Sequence, residues 1–320
     1  MKRILIIGAG GMGVRHIRAF LEIGDVEVTC WDPDGERLRR VISEHPPLER
    51  PDSLEAGADG GLDGVVIASP THTHREYMEW CIGKSVDFLV EKPIHNEGSG
   101  IETIIQRADA AGLVAGVAFP RRHSRPMREM KQRLEAGLIG DLKAIRTEFS
   151  QDFRKYRPDY RQTYYARLAT GGGILLDALS HHVDLACSFA GRVRTVVSLN
   201  DRVVFEGVEG EDLACLLLRF ENGILGSVTG NQFQKPNTDF IELVGTEGNL
   251  RYERLSGVLS WNLSDAVEWN SEHIDEDWDE VVRRQAAGFL EALTRKGPGV
   301  MTSLREGLHG LRVVQAARRS

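Results

Sequence analysis

A carboxylate and an imidazole recur four residues apart in an apolar run of the sequence, Gly171 to Asp184, which reads GGGILLDALSHHVD. If this run is a helix, Asp177 and His181 lie on one face of it, amid leucine and isoleucine side chains. Burying either group costs free energy unless it is paired, so its presence there indicates either a partner or a chemical function. The spacing therefore predicts a pair that handles a substrate proton, with a satisfied buried pair as the alternative.

A further reactive group, Lys92, follows the apolar run in VDFLVEKP. If that run is a strand of an open parallel sheet, Lys92 lies at the edge where such sheets bind their ligands. A lysine buried there beside a cationic ring can donate a proton to a substrate oxygen or accept one from it. The alternative is a solvated surface lysine.

Glycines in the pattern G-x-G-x-x-G occur near the start of the sequence, in IIGAGGMG. In a nucleotide-binding loop, Gly8 would allow the tight turn, Gly10 the approach of a pyrophosphate, and Gly13 the close packing of a helix on a strand. Asp32 ends the next apolar run, where an acid binds the ribose hydroxyls. The pattern predicts a dinucleotide cofactor, with a glycine-rich structural turn as the alternative.

The same residues indicate which cofactor binds. Asp32 repels a 2'-phosphate and so favours NAD, whereas the nearby Arg37 and Arg39 leave NADP open. The ends of the next two strands, in ASPTHTH and VEKP, should lie at the same edge of the sheet. The predicted cofactor residues are Gly8, Gly10, Gly11, Met12, Gly13, Asp32, Ser69, Pro70, Thr71, His74, Glu91 and Lys92.

The elements that must position these groups change in character along the chain. Through residues 1–120, short apolar runs alternate with helical repeats, which predicts a doubly wound parallel sheet of the Rossmann type. From about Leu142, strands follow one another, and Asn222-Gly223 predicts a hairpin turn. We therefore predict an α/β protein with a Rossmann domain at 1–120 and an α+β domain with an open, mostly antiparallel sheet at 121–320.

Composition excludes several classes of function. The 320 residues are 41% hydrophobic and 27% charged, as in a globular enzyme with two cores. The net charge of -7 argues against nucleic-acid binding and against an anionic membrane as partner. There is no apolar run long enough for a signal peptide or a membrane span, and the four cysteines are too scattered for disulfides or a structural metal. We expect a cytoplasmic protein with reduced thiols and no bound metal.

Taken together, IIGAGGMG, Asp32, ASPTHTH, VEKP and GGGILLDALSHHVD resemble the Gfo/Idh/MocA oxidoreductase family over essentially the whole chain. The resemblance implies an NAD(P)-binding domain, a substrate-binding domain whose open sheet forms the dimer face, and assembly as a homodimer or homotetramer. The implied reaction is hydride transfer between the nicotinamide and a secondary alcohol or carbonyl of a sugar, inositol or sugar acid. The matching motifs assign catalytic roles to Lys92, Asp177 and His181. Leu179 stands where many relatives have glycine.

A mechanism follows as a hypothesis. His181 takes the hydroxyl proton, Lys92 stabilises negative charge on the same oxygen, and Asp177 orients the pair. Arginines and tyrosines interleave between Gln151 and Arg167, which favours an acidic or highly hydroxylated sugar, with a solvated basic face as the alternative. The predicted substrate residues are Lys92, Arg122, Arg157, Tyr160, Asp177 and His181.

Two other functions use the same fold. One is a redox-neutral, NAD-dependent glycoside hydrolase, in which the sugar is oxidised and reduced again while the cofactor stays bound. Release of NADH in proportion to product distinguishes a dehydrogenase from it. The other is a non-catalytic NAD-sensing regulator, which has no need of the set Lys92, Asp177 and His181.

Overall fold

The computed structural model describes residues 1–46, 48–263, 267–297 and 299–320. The chain divides into two compact units. After their predicted roles, we call Met1–His123 with Asp277–Leu308 the nucleotide unit, and Ser124–Glu276 with His309–Ser320 the substrate unit. The first change of unit lies close to the predicted boundary between residues 120 and 121, whereas the return of Asp277–Leu308 to the nucleotide unit was not foreseen.

The helices, in chain order, are α1 (Gly11–Ile23), α2 (Gly35–Glu44), α3 (Leu54–Gly57), α4 (His74–Lys84), α5 (Ile101–Ala110), α6 (Arg125–Glu135), α7 (Phe153–Tyr156), α8 (Ser180–Ala190), α9 (Trp278–Arg295) and α10 (Leu304–Arg318). The strands are β1 (Lys2–Ile7), β2 (Val26–Trp31), β3 (Gly64–Ile67), β4 (Phe88–Glu91), β5 (Ala115–Ala118), β6 (Leu142–Ser150), β7 (Val193–Asp201), β8 (Leu213–Phe220), β9 (Leu225–Asn231), β10 (Asp239–Gly245), β11 (Gly248–Glu253), β12 (Val258–Leu263), β13 (Asn270–His273) and β14 (Thr302–Ser303).

The nucleotide unit is built on a parallel sheet. Its strands run in the order β14-β5-β4-β3-β1-β2, and all pairs are parallel except β14 with β5. β3 and β4 are buried along their whole length, as the continuous apolar runs predict for strands covered on both faces. This confirms the predicted Rossmann-type sheet.

Helix α9 belongs to this unit because its apolar face completes the core of the sheet. Phe289 is fully buried, and its ring lies 2.9 Å from the position that a Cβ would take at Gly64 of β3. A side chain at Gly64 would displace the helix. The amphipathic sequence of α9 is typical of a helix, but no local pattern identifies the sheet on which it packs.

The substrate unit is built on a second sheet, in the order β13-β12-β11-β10-β6-β9-β8-β7. β6 and β9 run parallel, and every other neighbouring pair among the described residues is antiparallel. Side chains of β8 alternate between buried and exposed, because one face of the sheet is covered by α8 and the other is open. The mostly antiparallel open sheet is confirmed, as is the turn at Asn222-Gly223, where Gly223 has a φ of +88°.

In the described ranges, there is no helix with the length and apolar character that a membrane span requires. All four cysteines are free thiols, of which Cys30 and Cys81 are buried, Cys187 is partly buried and Cys215 is exposed.

Candidate active site

The glycine loop, residues 8–13, leads from β1 into the first turn of α1. Gly8 has a φ of +107°, and a Cβ there would lie 2.6 Å from the Ala68 carbonyl oxygen. A Cβ at Gly13 would lie 1.8 Å from the Gly8 carbonyl oxygen, so α1 packs directly on the loop. At Gly10, by contrast, no atom of the described residues lies within 4 Å of the Cβ position. The N-terminus of α1 thus has room for a pyrophosphate beside its N–H groups.

Asp32 follows β2 and is buried, with its carboxylate turned toward the glycine loop. Its two oxygens accept hydrogen bonds from the backbone N–H groups of Ala9 and Asp34, each at 2.8 Å. The guanidinium of Arg37 lies 3.3 Å from Asp32 Oδ2 and 3.1 Å from Asp34 Oδ2. Two carboxylates therefore offset the charge of Arg37, which leaves little of it for a 2'-phosphate and favours NAD.

The loop after β3 carries Ser69, Pro70 and Thr71 on the same edge of the sheet, and Ser69 Oγ lies 2.7 Å from Thr73 Oγ1. His74 is the first residue of α4, which directly follows this loop. It is buried, with Nε2 3.0 Å from the Ser69 carbonyl oxygen and Nδ1 3.1 Å from the Pro93 carbonyl oxygen. Burial lowers the pKa of His74, although both carbonyl groups and Glu91 act in the opposite direction. His74 therefore connects the loop after β3 to the segment that follows β4.

Glu91, the last residue of β4, is buried as well. Its Oε1 lies 2.8 Å from Nε2 of the fully buried His16, and its Oε2 accepts the Lys92 N–H at 3.1 Å. Lys92 itself is partly buried, and the Lys92–Pro93 peptide bond is cis. Although Glu91 and His74 were predicted as cofactor contacts, their side chains face protein groups and support the backbone around Lys92.

In the substrate unit, the helix with the predicted Asp177 and His181 pair is present but not uniform. Residues Leu175–Leu179 form a π-helical turn that continues into α8, so Asp177 lies in the π turn and His181 in the first turn of α8. Both side chains are partly buried, whereas the neighbouring His182 and Asp184 are buried. A π turn is a frequent feature of functional sites, and the spacing of apolar residues does not predict one.

The glycine turn, residues 171–173, precedes this helix. A Cβ at Gly172 would lie 2.3 Å from the Tyr165 carbonyl oxygen, and one at Gly173 would lie 2.5 Å from Glu211 Oε1. At Gly172 and Gly173, the space left by the missing side chain is therefore filled by atoms of the chain itself.

Tyr164 is a contact of Asp177 that was not predicted. Its hydroxyl donates a hydrogen bond of 2.7 Å to Asp177 Oδ1. Loss of water around the hydroxyl, together with the negative charge of Asp177, raises the pKa of Tyr164, and the charge of Arg157 opposes this shift. The tyrosine therefore stays protonated and remains a donor to the carboxylate. The tyrosine-rich segment was the available signal, but it did not single out Tyr164.

The structure does not bring all predicted substrate residues to exposed positions. Tyr160 is buried, with its ring 4.9 Å from that of Phe205 and its hydroxyl 3.4 Å from the Glu206 carbonyl oxygen. It has no free face on which a sugar could stack, because it belongs to an aromatic cluster. Arg122 lies in the nucleotide unit, 2.8 Å from Glu306, whereas Arg157 is exposed in the substrate unit.

Leu179 also has a structural partner. It is fully buried, and its Cδ2 lies 2.6 Å from the position that a Cβ would take at Gly230 of β9. The bulk of Leu179 is thus matched by the missing side chain at Gly230. Among the described residues, there is no group of three or more His, Cys, Asp or Glu side chains arranged to hold a metal ion.

Two family models match this chain. The model "Oxidoreductase family, NAD-binding Rossmann fold" matches residues 2–119, and the model "GFO/IDH/MocA C-terminal domain" matches residues 127–251. Together they account for both sheets described above.

The chain is also similar to individual dehydrogenases. D-apiose dehydrogenase of Rhizobium rhizogenes is 27% identical over 82% of this chain and 77% of its own. Myo-inositol 2-dehydrogenase of Thermotoga maritima is 27% identical over 78% of this chain and 74% of its own. The structure of a levoglucosan dehydrogenase in complex with NADH and levoglucosan has the same fold, with a TM-score of 0.91 at 19% identity over 100% of this chain and 96% of that one. The chain belongs to the Gfo/Idh/MocA oxidoreductase family and carries its NAD-binding Rossmann fold.

Proposed function

We propose that the protein is an NAD-dependent dehydrogenase that acts on a secondary alcohol of a sugar, inositol or sugar acid. The observation that carries this proposal is the partly buried Asp177, hydrogen-bonded to Tyr164 and one helical turn from His181. A carboxylate and an imidazole so placed can manage a hydroxyl proton. The relatives named for D-apiose, myo-inositol and levoglucosan act on polyhydroxylated compounds, which supports this class of substrate.

Each proposed residue has one task. NAD, when bound at the glycine loop, supplies the acceptor for the hydride. His181 takes the hydroxyl proton at Nε2, since its Nδ1 is buried. Lys92 donates a hydrogen bond to the substrate oxygen and stabilises the negative charge that develops there. Asp177, held by the Tyr164 hydroxyl, orients the substrate.

The preferred substrate is an acidic or highly hydroxylated sugar. Arg157 is exposed, and its charge acts on the Tyr164 hydroxyl that contacts Asp177. Other arginines of this segment are engaged with the protein: Arg161 donates to the Glu206 carbonyl oxygen at 2.9 Å, and Arg167 pairs with Glu209 at 2.8 Å. Arg157 is therefore our choice for an anionic or hydroxyl-rich substituent.

The direct test mixes purified protein and NAD with inositols, levoglucosan, D-apiose, neutral hexoses and uronic acids, and follows NADH by absorbance. We expect turnover that falls by about 100-fold or more in Lys92→Ala and His181→Ala. Lys143→Ala is the matched control, because Lys143 is an exposed lysine paired with Asp141. Full turnover by Lys92→Ala would refute the assignment. Cleavage of glycosides without net NADH would indicate the redox-neutral hydrolase, and NAD binding without any reaction would indicate the regulator.

We further propose that the open face of the substrate-unit sheet holds a second copy of the chain, as the family resemblance implies. Leu199 of β7 is 81% exposed and Leu217 of β8 is 65% exposed, on neighbouring strands of the sheet. Such a patch favours association. Sedimentation of the wild type should show a dimer or tetramer, and the double variant Leu199→Lys with Leu217→Lys should be monomeric. A monomeric wild type would contradict this proposal.

The cytoplasmic location stays a prediction.

A further inference from the structure

Glu211 provides a cap for the helical segment that contains Asp177, although it lies far from that segment in sequence. Its carbonyl oxygen accepts the Ile174 N–H at 2.9 Å, and its Oε1 accepts the Leu175 N–H at 3.1 Å. The first N–H groups of a helix have no partner inside the helix. The segment has no side-chain cap of its own, so the buried Glu211 fills that role.

Arg318, the last residue of α10, holds this carboxylate in place. Its Nη2 lies 2.7 Å from Glu211 Oε1, and its Nε lies 3.1 Å from Oε2. The same Nη2 donates to the Gly172 carbonyl oxygen at 3.0 Å. One guanidinium therefore fixes both the capping carboxylate and the backbone that leads into the helix, in the two-pronged geometry that strengthens such pairs.

The glycine turn is shaped around this pair. Gly173 has a φ of +89°, and a Cβ there would lie 2.5 Å from Glu211 Oε1 and 2.9 Å from Arg318 Nη2. The carboxylate also lies at a helix N-terminus, where the helix dipole favours negative charge. The Asp177 N–H then bonds to the Gly173 carbonyl oxygen at 3.1 Å, so the position of Asp177 follows from that of the turn.

We propose that Glu211 and Arg318 are a pair of positioning residues for the reaction: they fix the turn from which Asp177 and His181 project, without touching substrate or cofactor. This inference rests on the proposed function. Since a displacement of about 1 Å at a reacting group can cost a large factor in rate, loosening this turn should slow the chemical step. Binding of NAD, which involves the other unit, should not change.

The test compares Glu211→Gln, Arg318→Gln and Arg318→Lys with wild type on whichever substrate the wild type oxidises. We expect kcat to fall by about tenfold in the first two variants, with KM within about twofold and the Kd for NAD unchanged. Arg318→Lys keeps one charged donor and should recover part of the rate. The double variant Glu211→Gln with Arg318→Gln should be no slower than either single one, because the two residues act as a unit.

The matched control is the pair Arg167 and Glu209, of which Arg167 lies shortly before the glycine turn and Glu209 shortly before Glu211. The two side chains are 2.8 Å apart but exposed, with 71% and 44% of their surface accessible. Arg167→Gln and Glu209→Gln should leave kcat unchanged. Wild-type kcat in the folded Glu211 and Arg318 variants would overturn the inference, even if their Tm falls. If Glu211→Gln does not fold, Arg318→Lys gives the result alone. Full activity of Lys92→Ala would refute the proposed function instead, so the two failures are distinguishable.

Discussion

The glycine loop of the nucleotide unit and the glycine turn of the substrate unit look alike in sequence but serve different purposes. In the loop, the Cβ position of Gly10 is open among the described residues, so its missing side chain leaves room for a ligand. In the turn, the Cβ positions of Gly172 and Gly173 are filled by Tyr165 and Glu211. A glycine can thus make room for a cofactor or for the chain itself, and only the atoms around it distinguish the two.

The strongest test of this difference lies within the loop. Gly13→Ala places a Cβ 1.8 Å from the Gly8 carbonyl oxygen, so we expect a loss of stability of about 3 kcal/mol and no measurable NAD binding. Gly10→Ala should leave stability within about 0.5 kcal/mol of wild type while weakening NAD binding by at least about tenfold. Chemical unfolding and NAD titration measure both. Unchanged affinity in folded Gly10→Ala would show that the pyrophosphate lies elsewhere.

In the turn, Gly173→Ala should act through the chain alone. It combines a φ of +89° with a contact of 2.5 Å to Glu211 Oε1, whereas Gly223 has a φ of +88° and no described atom within 4 Å of its Cβ position. Both variants carry the strain of the backbone, about 1 kcal/mol, but Gly173→Ala should cost about 2 kcal/mol more. NAD affinity should be that of wild type in both. Equal losses of stability would mean that Glu211 moves aside freely.

The features that sequence predicted are local ones. β1, the glycine loop and α1 follow one another directly, so each pattern is complete within a few residues. The hairpin turn at Asn222-Gly223 is read in the same way, because its two characteristic residues are adjacent in sequence. The spacing of Asp177 and His181 is likewise local, and both residues lie in one continuous helical segment.

The features that were missed depend on contacts between distant parts of the chain. Tyr164 reaches Asp177 from a separate loop, and Arg318 reaches Glu211 across more than a hundred residues of sequence. Tyr160 and Tyr164 are only four residues apart in sequence, yet one is buried and the other donates to Asp177. The periodic pattern of apolar residues cannot distinguish these two tyrosines, because it does not identify the residue that each side chain contacts.

Tyr164→Phe measures the value of that unpredicted contact. Removal of the hydroxyl leaves Asp177 without one charge-assisted hydrogen bond, and kcat should fall by about tenfold. Tyr156→Phe is the control, because its hydroxyl accepts a hydrogen bond from Asn237 at 3.0 Å on an exposed part of the same unit. Steady-state kinetics with the best substrate and NAD give the comparison. A rate equal to wild type would limit Tyr164 to a structural role.

The smallest expected effect concerns the nucleotide unit, where the polar groups near Lys92 are supports and should influence stability. Burial lowers the pKa of His74 below its ordinary 6.5, so His74 contributes full stability above pH 6.5. As the pH falls below that value, the unfolded chain binds a proton that the folded chain does not, and stability is lost toward the lowered pKa. Unfolding free energies from about pH 8 to about pH 5 should therefore fall more steeply in wild type than in His74→Gln.

His273→Gln is the control for this prediction, since His273 is exposed and its substitution should leave the slope unchanged. If the unfolding free energy instead rises as the pH falls, the structure offers an explanation. Both ring nitrogens of His74 face carbonyl oxygens, at 3.0 and 3.1 Å, and only a protonated ring can donate to both. Stability that rises on acidification would show that these carbonyls and Glu91 outweigh burial. His74 would then be protonated in the folded protein, and its contribution to stability would be lost as the pH rises through its pKa.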